Sequence, residues 1–395
     1  MAPFRSVLFW SHLVTGVVAG VVVLAMSVTG VALTYEKQLL EWADQRAHAW
    51  APPPEGARPL SPETLLAAVA VAQPGAVPTG VTRRADPAAP ATVTVGGNRT
   101  VLVNPYTGAV LGPPAAGLRT FFRVTTNWHR WLALEGASRA TGRLVTGVAN
   151  AGFLFIVLSG IYLWVPRLWS RTQFAQVLWF RRGLPGKARD FNWHNVIGIW
   201  SAIPLAIVVA GAVPISFPWA SSLVYRLVGD TPPPAARPAS PGPARAGGEA
   251  TRTAAPALAG LDAAWALAEA QVPDWRAISV RLAGPPDAPI ALTIDEGYGG
   301  QPQKRATLTV NRADGTVVAF ETFDALSPGR RARSWLRFVH TGEYYGLLGQ
   351  TVAGLVSAGG AVLVYTGIAL AWRRWWAWMR RRARSVSEAR AALSS

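Results

Sequence analysis

The chain has five histidines, His12, His48, His129, His194 and His340, and four of them stand beside long apolar runs. His194, in "FNWHNVIGIW", follows Asp190, the last charge before a run that stays uncharged until Arg226. An ionisable side chain placed there is costly and is read as functional. His12, in "HLVTG", bears the same relation to an earlier run, and both histidines have a glycine four residues on. His129 ("TNWHRWL") and His340 ("RFVHTGEYYG") each precede a later run. The four therefore form two matched pairs, His12 with His194 and His129 with His340.

Two neutral imidazoles facing each other across a helix bundle suit haem iron, which takes one axial ligand from each side. Two haem sites are thus expected. Gly16, Gly20, Gly198, Gly346 and Gly349 would make room for the flat macrocycle, and Arg130 and Arg337 would meet its carboxylates. For any single histidine the plain alternative is a snorkelling or helix-end residue, and His48, in polar sequence, receives that reading. Zinc or copper fits less well, because two histidines underfill a tetrahedral shell and charge-free runs offer no carboxylate or thiolate.

The elements that must position these residues are membrane spans. Ser6–Tyr35, Leu144–Pro166, Phe191–Tyr225 and Tyr344–Trp372 lack Asp, Glu, Lys and Arg, and about 20 such residues cross a bilayer. Pro204 and Pro214 are expected to kink or shorten the third. The first is too long for a cleaved signal and is treated as retained. Six basic residues (Arg167, Arg171, Arg181, Arg182, Lys187, Arg189) lie between the second and third runs, and Arg373, Arg374, Arg380, Arg381, Arg382 and Arg384 follow the fourth. By the positive-inside rule both segments, and both termini, are cytoplasmic. His12 and His194 then sit at the inner face, His129 and His340 at the outer.

The chain divides accordingly into span 6–35, outside domain 36–140, span 141–166, basic loop 167–190, span 191–219, outside domain 220–343, span 344–372 and basic tail 373–395. Each outside segment reads as a short helix (Ser61–Val71; Leu261–Ala270), then three strands. These lie near Gly80–Arg84, Ala91–Val95 and Thr100–Val103, and near Ile278–Leu282, Ile290–Ile294 and Ala306–Val310. Each closes on an Asn-led turn with glycine, "NPYTGAVLG" and "NRADGTVVAF". Thr231–Pro256 reads as a flexible linker. "LSGIYLW" at 158–164 resembles "YTGIALAW" at 365–372, so an internal two-fold repeat of span, α+β domain, span is expected.

Composition narrows the chemistry. The 395 residues carry a net charge of +17, 18 Trp and no Cys. Iron–sulfur clusters and thiolate zinc sites are excluded. The basic residues cluster beside apolar runs rather than forming a groove, which argues against nucleic acid. No G-x-G-x-x-G follows a strand, so no nicotinamide or flavin site is expected.

The motifs "NWHRWL", "LSGIYLWVPR", "FNWHNVIGIW", "HTGEYYGLLGQ" and "YTGIALAWRR", with "VNPYTGAVLG" and "VNRADGTVVAF", resemble the PepSY-associated transmembrane proteins from Phe4 to about Arg384. These are bacterial inner-membrane, iron-regulated proteins that include ferric-siderophore reductases. The resemblance implies a mainly α membrane protein, a four-helix bundle with two small α+β PepSY-like domains facing the periplasm. It also implies two b-type haems held by His12, His194, His129 and His340. The expected function is electron transfer to a ferric siderophore or other ferric chelate from a quinol or cytoplasmic reductase. The alternatives are an accessory or regulatory protein binding a periplasmic partner, and a transporter, against which the lack of buried carboxylates in the spans counts.

Overall fold

The structure is a computed structural model describing residues 2–48, 53, 56–96, 99–165, 170–234, 258–282, 285 and 287–393. Its elements in chain order are α1 (Ala2–Leu33), α2 (Glu36–Ala47), α3 (Pro62–Ala72), β1 (Pro78–Arg84), β2 (Ala91–Val95), β3 (Arg99–Val103) and β4 (Val110–Gly112). Then come α4 (Ala116–Trp131), α5 (Arg139–Trp164), α6 (Arg171–Leu178), α7 (Gly186–Ser216), α8 (Pro218–Leu227) and α9 (Leu261–Gln271). The chain continues with β5 (Ala277–Arg281), β6 (Ile290–Asp295), β7 (Arg305–Val310), β8 (Val317–Thr322), α10 (Pro328–His340) and α11 (Gly346–Leu393). Contacts separate the chain into a bundle unit (Met1–Thr34, Phe122–Ser221, Leu336–Ser395) and a sheet unit (Tyr35–Phe121, Ser222–Trp335).

In the bundle unit α1, α5, α7 and α11 are long and apolar enough to cross a membrane. They pack as a closed ring in the order α1, α5, α7, α11. Val23, Phe153, Val157, Leu205, Val209 and Val356 fill its middle. Val18 and Val21, 78% and 72% exposed, point the other way, as a lipid-facing surface requires. The polar groups inside are satisfied: Asn150 Nδ2 donates to Val209 O at 3.1 Å, and Gln350 Nε2 to Thr34 O at 2.7 Å. Fully buried Asp190 receives Arg189 and Arg373, each at 2.9 Å, tying α7 to α11.

Three details depart from the sequence reading. Helix α7 begins at Gly186, ahead of the expected 191, runs through Pro204 and Pro214 without a break, and ends at Ser216, close to the expected 219. Phe217 precedes Pro218, whose ring pushes the preceding residue out of the helical region, and its φ of −120° and ψ of 120° fit that. Helix α11 continues far beyond Trp372, since no Gly or Pro follows Gly367 to stop it. Helices α2, α4, α6, α8 and α10 were not anticipated. Most of the expected linker, from residue 235 on, and Arg167 lie outside the described residues.

The sheet unit holds one antiparallel sheet in the order β4-β3-β2-β1-β5-β6-β7-β8. The two α+β segments, expected as two domains, thus share a sheet and a core. Leu65, Leu66 and Val69 of α3 and Leu261, Ala264 and Trp265 of α9 bury against alternate strand residues from both segments. The physical reason is at β1 and β5, which would each be an open edge; pairing Val81 with Val280 and Arg83 with Ile278 closes both. Gly80 permits the approach, because a Cβ there would lie 2.6 Å from Val280 O. The two helix N-termini also cap each other. Glu63 N donates to Asp262 Oδ1 at 2.9 Å and Asp262 N to Glu63 Oε1 at 3.1 Å, each acid meeting unpaired helical N–H groups.

Candidate functional site

All four apolar-run histidines lie in the bundle unit, and the structure brings them together as two pairs. His12 on α1 and His194 on α7 are within electrostatic reach of each other. His129 at the end of α4 and His340 at the end of α10 have ring centroids 6.2 Å apart. His48 falls in the sheet unit, where its Nε2 donates to Pro113 O at 3.2 Å.

Each of the four rings is anchored through Nδ1. His12 Nδ1 lies 2.9 Å from Ser159 Oγ, and that hydroxyl donates its own proton to Ile156 O. His194 Nδ1 lies 2.9 Å from Thr366 Oγ1, whose proton goes to Val362 O. Both hydroxyls therefore accept, and both imidazoles carry their proton on Nδ1. All four rings also meet the backbone, His12 and His194 at the carbonyls of Ile156 and Leu363, and His129 has a hydroxyl as well, Thr29 Oγ1 at 3.0 Å. His129 Nδ1 donates to Met26 O at 3.0 Å, and His340 Nδ1 to Val208 O at 2.8 Å. A carbonyl can only accept, so these imidazoles also hold the proton on Nδ1.

The consequence is uniform. Every Nε2 is a bare lone pair, and among the described residues none of the four takes a hydrogen bond. Each ring is half-buried. An imidazole fixed by Nδ1–H and offering Nε2 is the arrangement of a metal-bound histidine with its orienting outer partner. The pair separation agrees: metal–imidazole bonds are about 2 Å, so two imidazoles on opposite sides of one ion have ring centres about 6 Å apart. Among the described residues no cluster of three or more His, Asp or Glu offers a polydentate cage. Two histidines per site fit a cofactor that fills the remaining positions itself, as a porphyrin does.

The anchors repeat along the helices. Met26 stands fourteen residues after His12, and Val208 fourteen after His194. At 3.6 residues and 5.4 Å per turn, that returns nearly the same helix face about 21 Å further on. One face of α1 and one of α7 thus serve both sites.

Sequence reasoning missed Ser159 and Thr366, although the aligned "LSG" and "YTG" stretches carried the signal. The backbone acceptors leave no mark in residue types. Of the glycines named from the sequence, Gly16, Gly20 and Gly198 stand where an added Cβ would meet Ile156, Ile368 and Leu363. Gly349 approaches the backbone of Gly342, and Gly346, at φ 64°, begins α11. The glycines that do lie against the histidines are Gly160, Gly367 and Gly30, where an added Cβ would stand 3.4, 3.4 and 3.5 Å from Cε1 of His12, His194 and His129, and Gly211, where it would stand 3.2 Å from His340 Cβ.

The sheet unit has a feature of its own, a half-open pocket of about 260 Å³ with Arg83, Arg84, Tyr106 and Trp275 in its wall. Arg83 pairs with Glu269 and lies over the rings of Trp265 and Trp275, at 5.3 and 5.5 Å. Burial holds its guanidinium below the ordinary arginine value against the opposing pull of Glu269.

No curated protein matches the chain. Residues 9–374, nearly the whole length, match the PepSY-associated TM region, and the chain belongs to that family of membrane proteins.

Proposed function

We propose that the chain is a membrane-bound, haem-dependent ferric reductase. It is a di-haem b electron-transfer protein of the bacterial inner membrane that reduces a ferric siderophore or other ferric chelate on the periplasmic side and so aids iron uptake. The observation that carries this reading is the common state of the four histidines, each with Nδ1–H committed to the protein and Nε2 bare, in two facing pairs.

His12 and His194 would hold one haem, His129 and His340 the other. A haem between two imidazoles has no open position and supplies one-electron exchange without bond making or breaking. The chain's own residues orient and insulate. Ser159, Thr366 and the carbonyls of Met26 and Val208 keep the proton on Nδ1. The apolar layer of Val23, Phe153, Leu205 and Val209 excludes water from the bundle. Each Fe(III) takes one electron and becomes Fe(II), so a quinol releasing two electrons and two protons matches two ferric ions. A cytoplasmic reductase is the other class of donor.

The remaining features agree with this reading. The excess of arginine after α5 and along α11 supports termini in the cytoplasm and α+β segments in the periplasm, by the positive-inside rule. Ser159-Gly160 and Thr366-Gly367 stand at equivalent places in α5 and α11, as an internal two-fold repeat requires. A pyridine haemochrome assay on protein expressed with haem supply should return two haems per chain. Protein without haem absorbance would overturn the reading and leave the accessory role.

A further inference from the structure

Four arginines gather at the His129–His340 pair, where the acids nearest in sequence are Glu135 and Glu343. Arg130 follows His129 directly, and Arg337 precedes His340 by one helical turn of α10. The guanidiniums of Arg130 and Arg139 both stack on the indole of Trp131, 4.6 and 4.1 Å from its centre. Arg143, one turn after Arg139, donates from Nη2 to Ile215 O at 3.1 Å. All four are exposed, and none is ion-paired with a carboxylate among the described residues. Arg337, Arg143 and Arg139 all lie within electrostatic reach of Arg130. At the other histidine pair Arg189 and Arg373 share the buried carboxylate of Asp190, while Arg5 donates to Leu163 O and Val165 O and Arg374 lies over Phe9 and Trp10.

Gathered like charges repel, and an anion relieves them. Stacking on Trp131 and the bond to Ile215 O already fix three of the four guanidiniums, so little ordering remains to be done on binding. Arginine forks suit carboxylate and phosphate oxygens.

We propose that Arg130, Arg139, Arg143 and Arg337 form an anion-binding collar at this pair, and that the ferric chelate reduced there carries net negative charge on carboxylate or phosphate-like groups. The proposal rests on the reductase reading above and names its substrate class. A haem brings two carboxylates of its own. Four guanidiniums exceed them, which leaves positive charge to draw in the chelate. The step moves one electron to the chelate, Fe(III) becoming Fe(II), supplied by the quinol or reductase class of donor in the cell and by dithionite in the test.

The test uses haem-loaded full chain in neutral detergent, reduced with dithionite and mixed anaerobically with Fe(III)–EDTA, net −1, or with a ferric hydroxamate of net +1. Electrostatic steering changes association rates by about 10–1000-fold and fades with salt. Reoxidation by the anion should be at least about tenfold faster per unit driving force at low salt, and the advantage should shrink as salt rises. In Arg139→Gln with Arg143→Gln the anion-to-cation ratio should fall toward one while haem content and spectrum hold. Equal rates for both chelates, or a ratio unchanged in the variant, would overturn the proposal. Loss of haem in the variant with the ratio intact would assign the collar to the cofactor's carboxylates alone. A ratio abolished by vesicles of anionic phospholipid would assign it to lipid; either result sinks the chelate claim. If neither chelate reoxidises the protein, the reductase reading fails. Calorimetry with redox-inert gallium(III)–EDTA then still reads the collar, which must bind it more weakly in the variant.

Discussion

Three of the four histidines are held by one device and the fourth by another. His12 meets Ser159 Oγ and the carbonyl of Ile156, His194 meets Thr366 Oγ1 and the carbonyl of Leu363, and His129 meets Thr29 Oγ1 and the carbonyl of Met26. In each case the hydroxyl and the carbonyl three residues before it share one turn of a span. His340, among the described residues, meets the carbonyl of Val208 alone. Three rings therefore keep an acceptor when a hydroxyl is removed, and the fourth depends on a main-chain atom that substitution does not remove.

The largest test removes ligands. His12→Ala, His194→Ala and their double variant should each lower haem content from two per chain to about one, since both serve one site. Joining His194→Ala to His340→Ala should remove both haems. If the His12/His194 double variant lost both, the assignment of partners given above would be wrong.

A smaller effect comes from the glycines. A Cβ at Gly211 would stand 2.6 Å from Leu336 O, a backbone atom that cannot yield, while one at Gly160 would stand 3.4 Å from the His12 ring. Gly211→Ala should cost about 1–3 kcal/mol of packing and lower occupancy of the His129–His340 site, read by haem content and thermal unfolding. Gly160→Ala should leave both measurements close to wild type. Equal losses would show that the His129–His340 pair is no more rigidly built than the other.

Smaller again are the anchors. Ser159→Ala, Thr366→Ala and Thr29→Val each remove a hydroxyl and leave Nδ1–H the carbonyl of Ile156, Leu363 or Met26. Complete loss of such outer partners lowers metal affinity about 10–100-fold, so with one acceptor left haem should stay bound at saturation and pass to apomyoglobin less than about tenfold faster, from one site only. A change of about 100-fold in any of the three would mean that the hydroxyl, and not the carbonyl, holds the ring.

Much of this site was legible in the sequence. A charged residue is too costly to be scattered through a span, so charge-free runs mark the helices and a histidine beside one stands out. The pairing of His12 with His194 came from matching glycines. Ser159 and Thr366 were hidden because a small hydroxyl in a span usually satisfies its own helix, as both also do here through Ile156 O and Val362 O. Met26 and Val208 could not be read at all, since their contribution is a carbonyl that every residue owns. In the sheet unit, alternation of period two reports that Val93 and Leu292 belong to strands facing a core. It says nothing of which strand lies alongside, and β1 against β5 was missed for that reason. Helices α4 and α10 are strongly amphipathic, with arginines along the polar face, and their period of 3.6 was legible in the segments before the second and fourth spans.

The β1–β5 pairing also constrains how the molecule is made. The two strands leave the ribosome far apart in time, with α5 and α7 synthesised between them. At about 5–20 residues per second, β1 waits on the order of ten seconds or longer for its neighbour. Throughout that wait Pro78–Arg84 presents unpaired amides, and α3 lacks the acid of Asp262 that caps it. An arrest during insertion of α7 would strand a half-built sheet with one sticky side. Quality-control proteases and holding chaperones should therefore meet this protein chiefly as a truncated translation product, and far less often as the finished chain.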